Sequence, residues 1–237
     1  EDDVYDAAFE RVGVLRVRTG GQMRDAIHAL AVLGEMEGPR LGVVTATGAG
    51  GIMAADACEE RGLVFGEMPA GLREKLRAGL PDWVHVTNPI DIWPIGMLGG
   101  RYEEAFRLSL AEMLKSPGID GVLAVFIVSG SPRHGDLDRE QAVEKARRES
   151  GTLKPVAAWP YLDSAAAVDR FERVPRVACF DSIEQAVEGL SYGYRYHRLR
   201  RRGTPRPRSF PVDRARAGGL AAKGRRKGIL LGQDALE

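Results

Sequence analysis

The chain has 237 residues, 44% of them hydrophobic and only 7% aromatic, and a net charge of +1. That is enough to bury a core, and no run approaches the roughly 20 apolar residues of a membrane-spanning helix. Two cysteines, Cys58 and Cys179, without a CxxC pair, exclude a disulfide framework or a thiolate metal site and point to a reducing, cytoplasmic setting.

The near-neutral total hides an asymmetry. From Arg195 to Lys227 there are 13 Lys/Arg against one acid, Asp213, while the other residues carry 21 basic and 32 acidic side chains. Pro and Gly interrupt the basic stretch and no aromatic platform accompanies it, so a solvated linker is preferred to a nucleic-acid arm.

In chain order, Asp2 to Val12 has helical spacing, and Gly13 ends it. Val14-Leu15-Arg16-Val17 reads as a short strand, and Thr19 as the N-cap of a second helix. From Arg40 the rhythm becomes strand then helix: Leu41–Ala46, Gly51–Arg61, Leu63–Phe65, Ala70–Leu80, Arg101–Leu114, the VLAVFIV strand Val122–Val128, Asp136–Glu149, Val156–Trp159, Ala165–Arg173, Val177–Phe180, and a helix capped by Ser182 running to about Tyr196. Continuous apolar strands alternating with helices imply a parallel sheet covered on both faces. The expected fold is α/β, a flavodoxin-like doubly wound parallel sheet with helices on both faces, preceded by a partial α/β segment. The expected divisions are 1–37, the end of a preceding flavodoxin-like domain; 38–198, the main domain; and 199–237, a basic linker. The tail Ile229–Glu237 reads as a helix just beginning, and the chain reads as truncated at both ends.

Ligands of open parallel sheets sit beyond the carboxyl ends of strands. Thr47-Gly48-Ala49-Gly50-Gly51 occupies that place after the first strand. Glycines admit close backbone approach, and a helix start offers unpaired amides and a positive dipole end. A P-loop lysine is missing after Gly50-Gly51, and the third glycine of a dinucleotide fingerprint falls at Met53. By spacing, the turn is compatible both with anion binding and with plain strand–helix packing.

Other candidates have two readings each. Asn88-Pro89-Ile90-Asp91 is either a turn held by Asn and Asp side chains or a loop beside the site. Asp56 reads as a structural or solvent-facing carboxylate. Ser129 to His134 follows the strongest strand but lacks a GxSxG elbow, so it reads as a cleft-lining loop. Trp83, Trp93 and Trp159 read as packing residues or pocket walls, and His28, His85, His134 and His197 as solvated surface histidines.

Four stretches together resemble the NDP-forming acyl-CoA synthetases, relatives of succinyl-CoA synthetase: Asp3–Phe9 with Gly13–Val17; Val44–Ala57; Leu80-Pro81 with Asn88–Asp91; and Lys154-Pro155-Val156 with the Ala186-Val187 helix. The resemblance covers residues 3 to about 196. It implies an acid–thiol ligase that interconverts acid, CoA and NTP with acyl-CoA, NDP and phosphate, through an acyl phosphate and a phosphohistidine. Thr47, Gly48, Ala49, Gly50 and Gly51 would then be the phosphate-binding helix start, and Asn88 and Asp91 the substrate loop. No catalytic residue and no metal ligand would lie in this chain. CoA, ATP/ADP and Mg would belong to the full-length enzyme. The implied partners are the phosphohistidine loop of a preceding domain, the CoA-binding and ATP-grasp domains of the same protein, and a second copy in a homodimer. The alternative is a non-catalytic ligand-sensing domain fused to an acetyltransferase.

Overall fold

The computed structural model describes residues 2–127, 139–161, 165–202 and 213–228. By internal contacts the chain divides into Glu1–Gly203 and Thr204–Glu237.

Among the described residues the first unit is built on six parallel strands: β1 (Arg40–Thr45), β2 (Val64–Phe65), β3 (Ile90–Asp91), β4 (Gly121–Ile127), β5 (Val156–Tyr161) and β6 (Val177–Cys179). Their order is β2-β1-β4-β5-β6, and β3 also pairs with β1. The strands alternate with α1 (Asp2–Val12), α2 (Gly20–Val32), α3 (Gly48–Arg61), α4 (Ala70–Arg77), α5 (Ile92–Gly99), α6 (Tyr102–Lys115), α7 (Arg139–Ser150), α8 (Ala165–Phe171) and α9 (Ile183–Arg201).

Strand side chains alternate between faces, and the core follows that period. Leu41, Val43, Leu123, Val125, Ala157 and Ala178 pack with α2, α3 and α9. Val44, Val122, Ala124, Phe126, Val156, Ala158 and Val177 pack with α4 through α8 on the other face. The sheet is therefore doubly wound, as its apolar strands predict.

The edge of β1 facing β2 and β3 has a gap. β2 pairs at Arg40 and Leu41, and β3 pairs at Val44 and Thr45. The side chain of Asn88 fills the space between them. Its Oδ1 accepts from Val43 N (2.9 Å), and its Nδ2 donates to the carbonyls of Leu41 and Gly66 (2.8 Å each). A carboxamide has the donor and acceptor set of a peptide group, so Asn88 replaces a missing piece of ladder.

Local departures from the expected elements have identifiable causes. Residues 14–17 are not a strand, because nothing among the described residues offers them a ladder. Leu15 and Val17 instead pack against the α2/α9 core, and Arg16 is pinned by Asp2 and Asp6. Helix α5 was not expected: Ile92–Gly99 reads IWPIGMLG, with no polar face to reveal a helical period. Asp91 caps it, accepting from Trp93 N at 3.0 Å, and Gly100 closes it at φ 63°. Helix α3 begins at Gly48, three residues before the expected start. Helix α9 extends to Arg201. The end of the apolar strand at Val128, the starting region of the 136–149 helix and the tail at 229–237 lie outside the described residues. In the second unit, Arg214–Lys227 forms α10, capped by Asp213, which accepts from Ala215 N and Arg216 N. Among the described residues no helix is long and apolar enough to cross a membrane.

Asn88→Ala leaves one strand amide and two carbonyls without their partner. Its unfolding free energy in urea is expected to drop by about 2–4 kcal/mol. Asn88→Asp, which has no amide donors, is expected to recover little of that loss.

Candidate functional site

Connections leave β1 in one direction for β2 and β3 and in the other for β4, so the sheet order reverses beside β1. A cleft of about 460 Å³ opens there, at the carboxyl ends of the strands, where open α/β sheets hold ligands. Its floor is Ala46 to Gly50 after β1. Its walls are Met53 of α3, Trp93 of α5, Val125 and Phe126 of β4, and Trp159 and Tyr161 of β5, with Asp91 at one edge. Trp159 and Tyr161 meet edge to face at 5.2 Å between ring centroids.

The turn that opens α3 is held from beneath. Thr45 Oγ1 donates to the Thr47 carbonyl (2.8 Å) and accepts from Thr47 N (3.2 Å). Gly50 N donates to the Thr47 carbonyl at 3.1 Å. Those amides are spent. The Gly48 and Ala49 amides have no protein acceptor among the described residues, and Thr47 caps neither with its side chain. Two donors and the positive end of a 14-residue helix thus stand at the exposed edge of a cleft with mostly apolar walls, an arrangement that favours an anion.

The glycines divide by role. A Cβ on Gly50 would meet Thr45 Oγ1 at 2.5 Å, and one on Gly51 would meet Pro89 Cβ at 3.3 Å. These two are glycine because strand and loop pack tightly on the helix, and that packing offsets the roughly 1 kcal/mol cost of each glycine in a helix. A Cβ on Gly48 would meet only the Asp91 carboxylate, at 3.4 Å.

Of the seven site residues expected from sequence, Thr47, Gly48, Ala49, Gly50 and Asp91 line the cleft, whereas Gly51 and Asn88 do not. Asn88 is engaged with β1, as described. Asp91 caps α5, and its carboxylate lies beside Gly48. Burial pushes its carboxyl above the ordinary range, against the opposing pull of the Trp93 amide.

Asp56 faces solvent on α3. Trp93 and Trp159 are cleft walls, while Trp83 is exposed. Tyr161, Met53 and Phe126 went unnoticed in the sequence, where each reads as an ordinary core or surface position. Two histidines are not solvated as expected. His28 stacks on Phe180 with Nε2 2.9 Å from Glu172, and His197 places Nδ1 2.9 Å from Glu35. His85 is exposed; Ser129 to His134 lie outside the described residues. Both cysteines are buried, and burial pushes the Cys58 thiol up to about 11. Among the described residues no three His, Cys, Asp or Glu side chains are grouped to hold a metal ion.

Comparison with known proteins bears on the domain as a whole. Residues 41–201 match the model of the Ligase-CoA domain. The chain belongs to the Ligase-CoA domain family. Among curated relatives, the alpha subunit of acetate–CoA ligase [ADP-forming] I from Pyrococcus furiosus is 32% identical over 82% of this chain and 41% of its own length. The 4-hydroxybutyrate–CoA ligase [ADP-forming] of Nitrosopumilus maritimus is 24% identical over 91% of this chain and 30% of its own. The solved dinucleotide-forming acetyl-coenzyme A synthetase 1 of Ca. Korarchaeum cryptofilum superposes with a TM-score of 0.69 at 25% identity, over 85% of this chain and 43% of that one. This Ligase-CoA domain chain therefore spans less than half the length of these relatives.

The glycine roles separate experimentally. Gly50→Ala is expected to lower the melting temperature, and Gly48→Ala to leave it nearly unchanged, in a paired thermal unfolding measurement. Asp91 gives a pH signature. A carboxyl raised in the folded state contributes most below its unfolded pKa and loses that contribution as pH rises through its folded value. Asp91→Asn, which can still cap α5, is therefore expected to gain stability relative to the parent as pH rises from the ordinary carboxylate range towards neutrality. A pH-independent difference in urea unfolding would contradict the burial-driven shift.

Proposed function

We propose that this chain supplies the flavodoxin-like ligase domain of an NDP-forming acyl-CoA synthetase, and that the start of α3 receives the phosphoryl group as it travels on a histidine of a neighbouring domain. The full reaction would join acid and CoA at the expense of NTP, through an acyl phosphate. The observation that carries the reading is the pair of unspent amides, Gly48 and Ala49, at the edge of a mostly apolar cleft at the sheet's switch point. The ligase names of the relatives support the reaction class.

The chemistry favours such a cradle. A phosphohistidine is dianionic and must be released on demand. Two amides and a helix dipole stabilise it by fixed partial charges, without a permanent cation to hold it. The apolar walls keep water from the labile N–P bond. Asp91 sets a condition: its carboxylate would repel the phosphoryl oxygens unless it carries a proton or accepts a hydrogen bond from a donor such as the ring N–H of the carrier. Its raised pKa and its position 3.4 Å from the Cβ site of Gly48 suit either arrangement. CoA, nucleotide and magnesium would be handled by the CoA-binding and ATP-grasp parts of the enzyme. The division of the sequence at about residues 37 and 198, and assembly as a homodimer, belong to the same proposal.

The test uses the full-length gene product with labelled ATP. An acid-labile, base-stable phosphoprotein is expected. Gly48→Asp, which puts a carboxylate at the amide mouth, is expected to cut CoA-dependent turnover by about 100-fold or more with little change in melting temperature. Full turnover in that variant would overturn the role given to α3.

A further inference from the structure

A second cleft, of about 430 Å³, lies between the far half of α9 and residues 6–22. It is remote from the first. Helix α9 begins beside Gly50, whose Cβ site is 3.6 Å from Ile183 Cδ1. At 1.5 Å per residue, Arg195 and Arg198 lie about 20 Å further along the helix.

The charges around this cleft are unequally satisfied. Arg16 and Arg18 are neutralised by Asp2 and Asp6, and Arg202 by Glu10. The Glu188 carboxylate accepts from Gln22 Nε2 at 3.1 Å. Arg195 and Arg198 have no carboxylate within salt-bridge distance among the described residues. Each instead lies over a tyrosine ring, Arg195 on Tyr192 (6.0 Å) and Arg198 on Tyr194 (5.7 Å). A guanidinium attracted to a ring face keeps N–H groups available to donate elsewhere. An arginine pair at i and i+3 stands on one helix face about 5–6 Å apart at Cβ.

We propose that this cleft binds a small molecule carrying a pyrophosphate group. Two adjacent guanidiniums match two linked phosphoryl groups, each able to take a bidentate pair of hydrogen bonds. The volume is that of a small-ligand site. Phe9, Val14 and Leu199 add an apolar wall that an inorganic ion would not use but the organic part of a nucleoside diphosphate would. The site is independent of the proposed role of α3, and neither depends on the other.

The test is calorimetric titration of the whole 237-residue chain with inorganic pyrophosphate and with ADP at low salt. Binding of at least one probe is expected, with affinity falling about tenfold or more in the Arg195→Gln/Arg198→Gln double variant. Arg73→Gln/Lys75→Gln removes the same charge from the exposed face of α4 and is expected to bind as the parent does. Tighter binding of ADP than of pyrophosphate would identify an organic diphosphate as the ligand; equal affinity would identify the inorganic group. The proposal is overturned if neither probe binds, or if both double variants lose affinity equally, which would mean only diffuse attraction to a basic surface. Both pairs of side chains are exposed, so circular dichroism is expected to show an intact fold throughout.

Discussion

The geometry of the first cleft depends on one side-chain amide. Asn88 occupies the place on β1 where no strand pairs, and its three hydrogen bonds tie β1 to the loop after β2 and to the start of β3. That tie fixes the register in which Asp91 stands opposite Thr45. Thr45 in turn holds the turn into α3. Residues separated by more than forty positions thus meet at one corner because a carboxamide can imitate a peptide group. Without it, a two-residue strand such as β3 would have little to hold its register.

Around that corner the protein combines a strong local field with weakly polar walls. Unpaired amides cost free energy when buried, and these carry little such cost because Gly48 and Ala49 are exposed to solvent. Met53, Trp93 and Tyr161 in the cleft walls are exposed, so apolar surface borders the amides. The opposite end of α9 uses a different strategy. There, guanidiniums supply full charges, most of them balanced by carboxylates of α1. Fixed dipoles suit a group that must leave quickly; full charges suit one that is held.

The interior shows a third arrangement of charge. Arg147 is buried and donates to the carbonyls of Thr152, Lys154 and Arg176, joining α7 to the approaches of β5 and β6. Burial, and then the neighbouring charge of Arg176, lower its pKa to about 10. Nothing in the RRES run around it distinguishes this arginine from the exposed Arg148 beside it. Its role comes from carbonyls of two separate segments, the α7–β5 connection and the residue before β6.

Much of the architecture was legible in the residues. Uninterrupted apolar runs announced β1, β4 and β5, and Thr19 and Ser182 announced their helices, because backbone pairing and capping act over a few positions. The glycine-rich turn was legible as a possible anion site, though not which of its amides remain available. Helix α5 stayed hidden because it lacks a polar face, and residues 14–17 look like a strand although pairing requires a neighbour. What the amino-acid sequence determined by itself was the alternation of strand and helix and the location of the glycines. Only the tertiary structure decided that Gly50 and Gly51 serve packing while Gly48 lines the cleft, that Asn88 is a structural bridge and Asp91 a border of the cleft, and that Arg195 and Arg198 stand without carboxylates among the described residues. Those distinctions rest on distances between segments far apart in the chain, which no local pattern encodes.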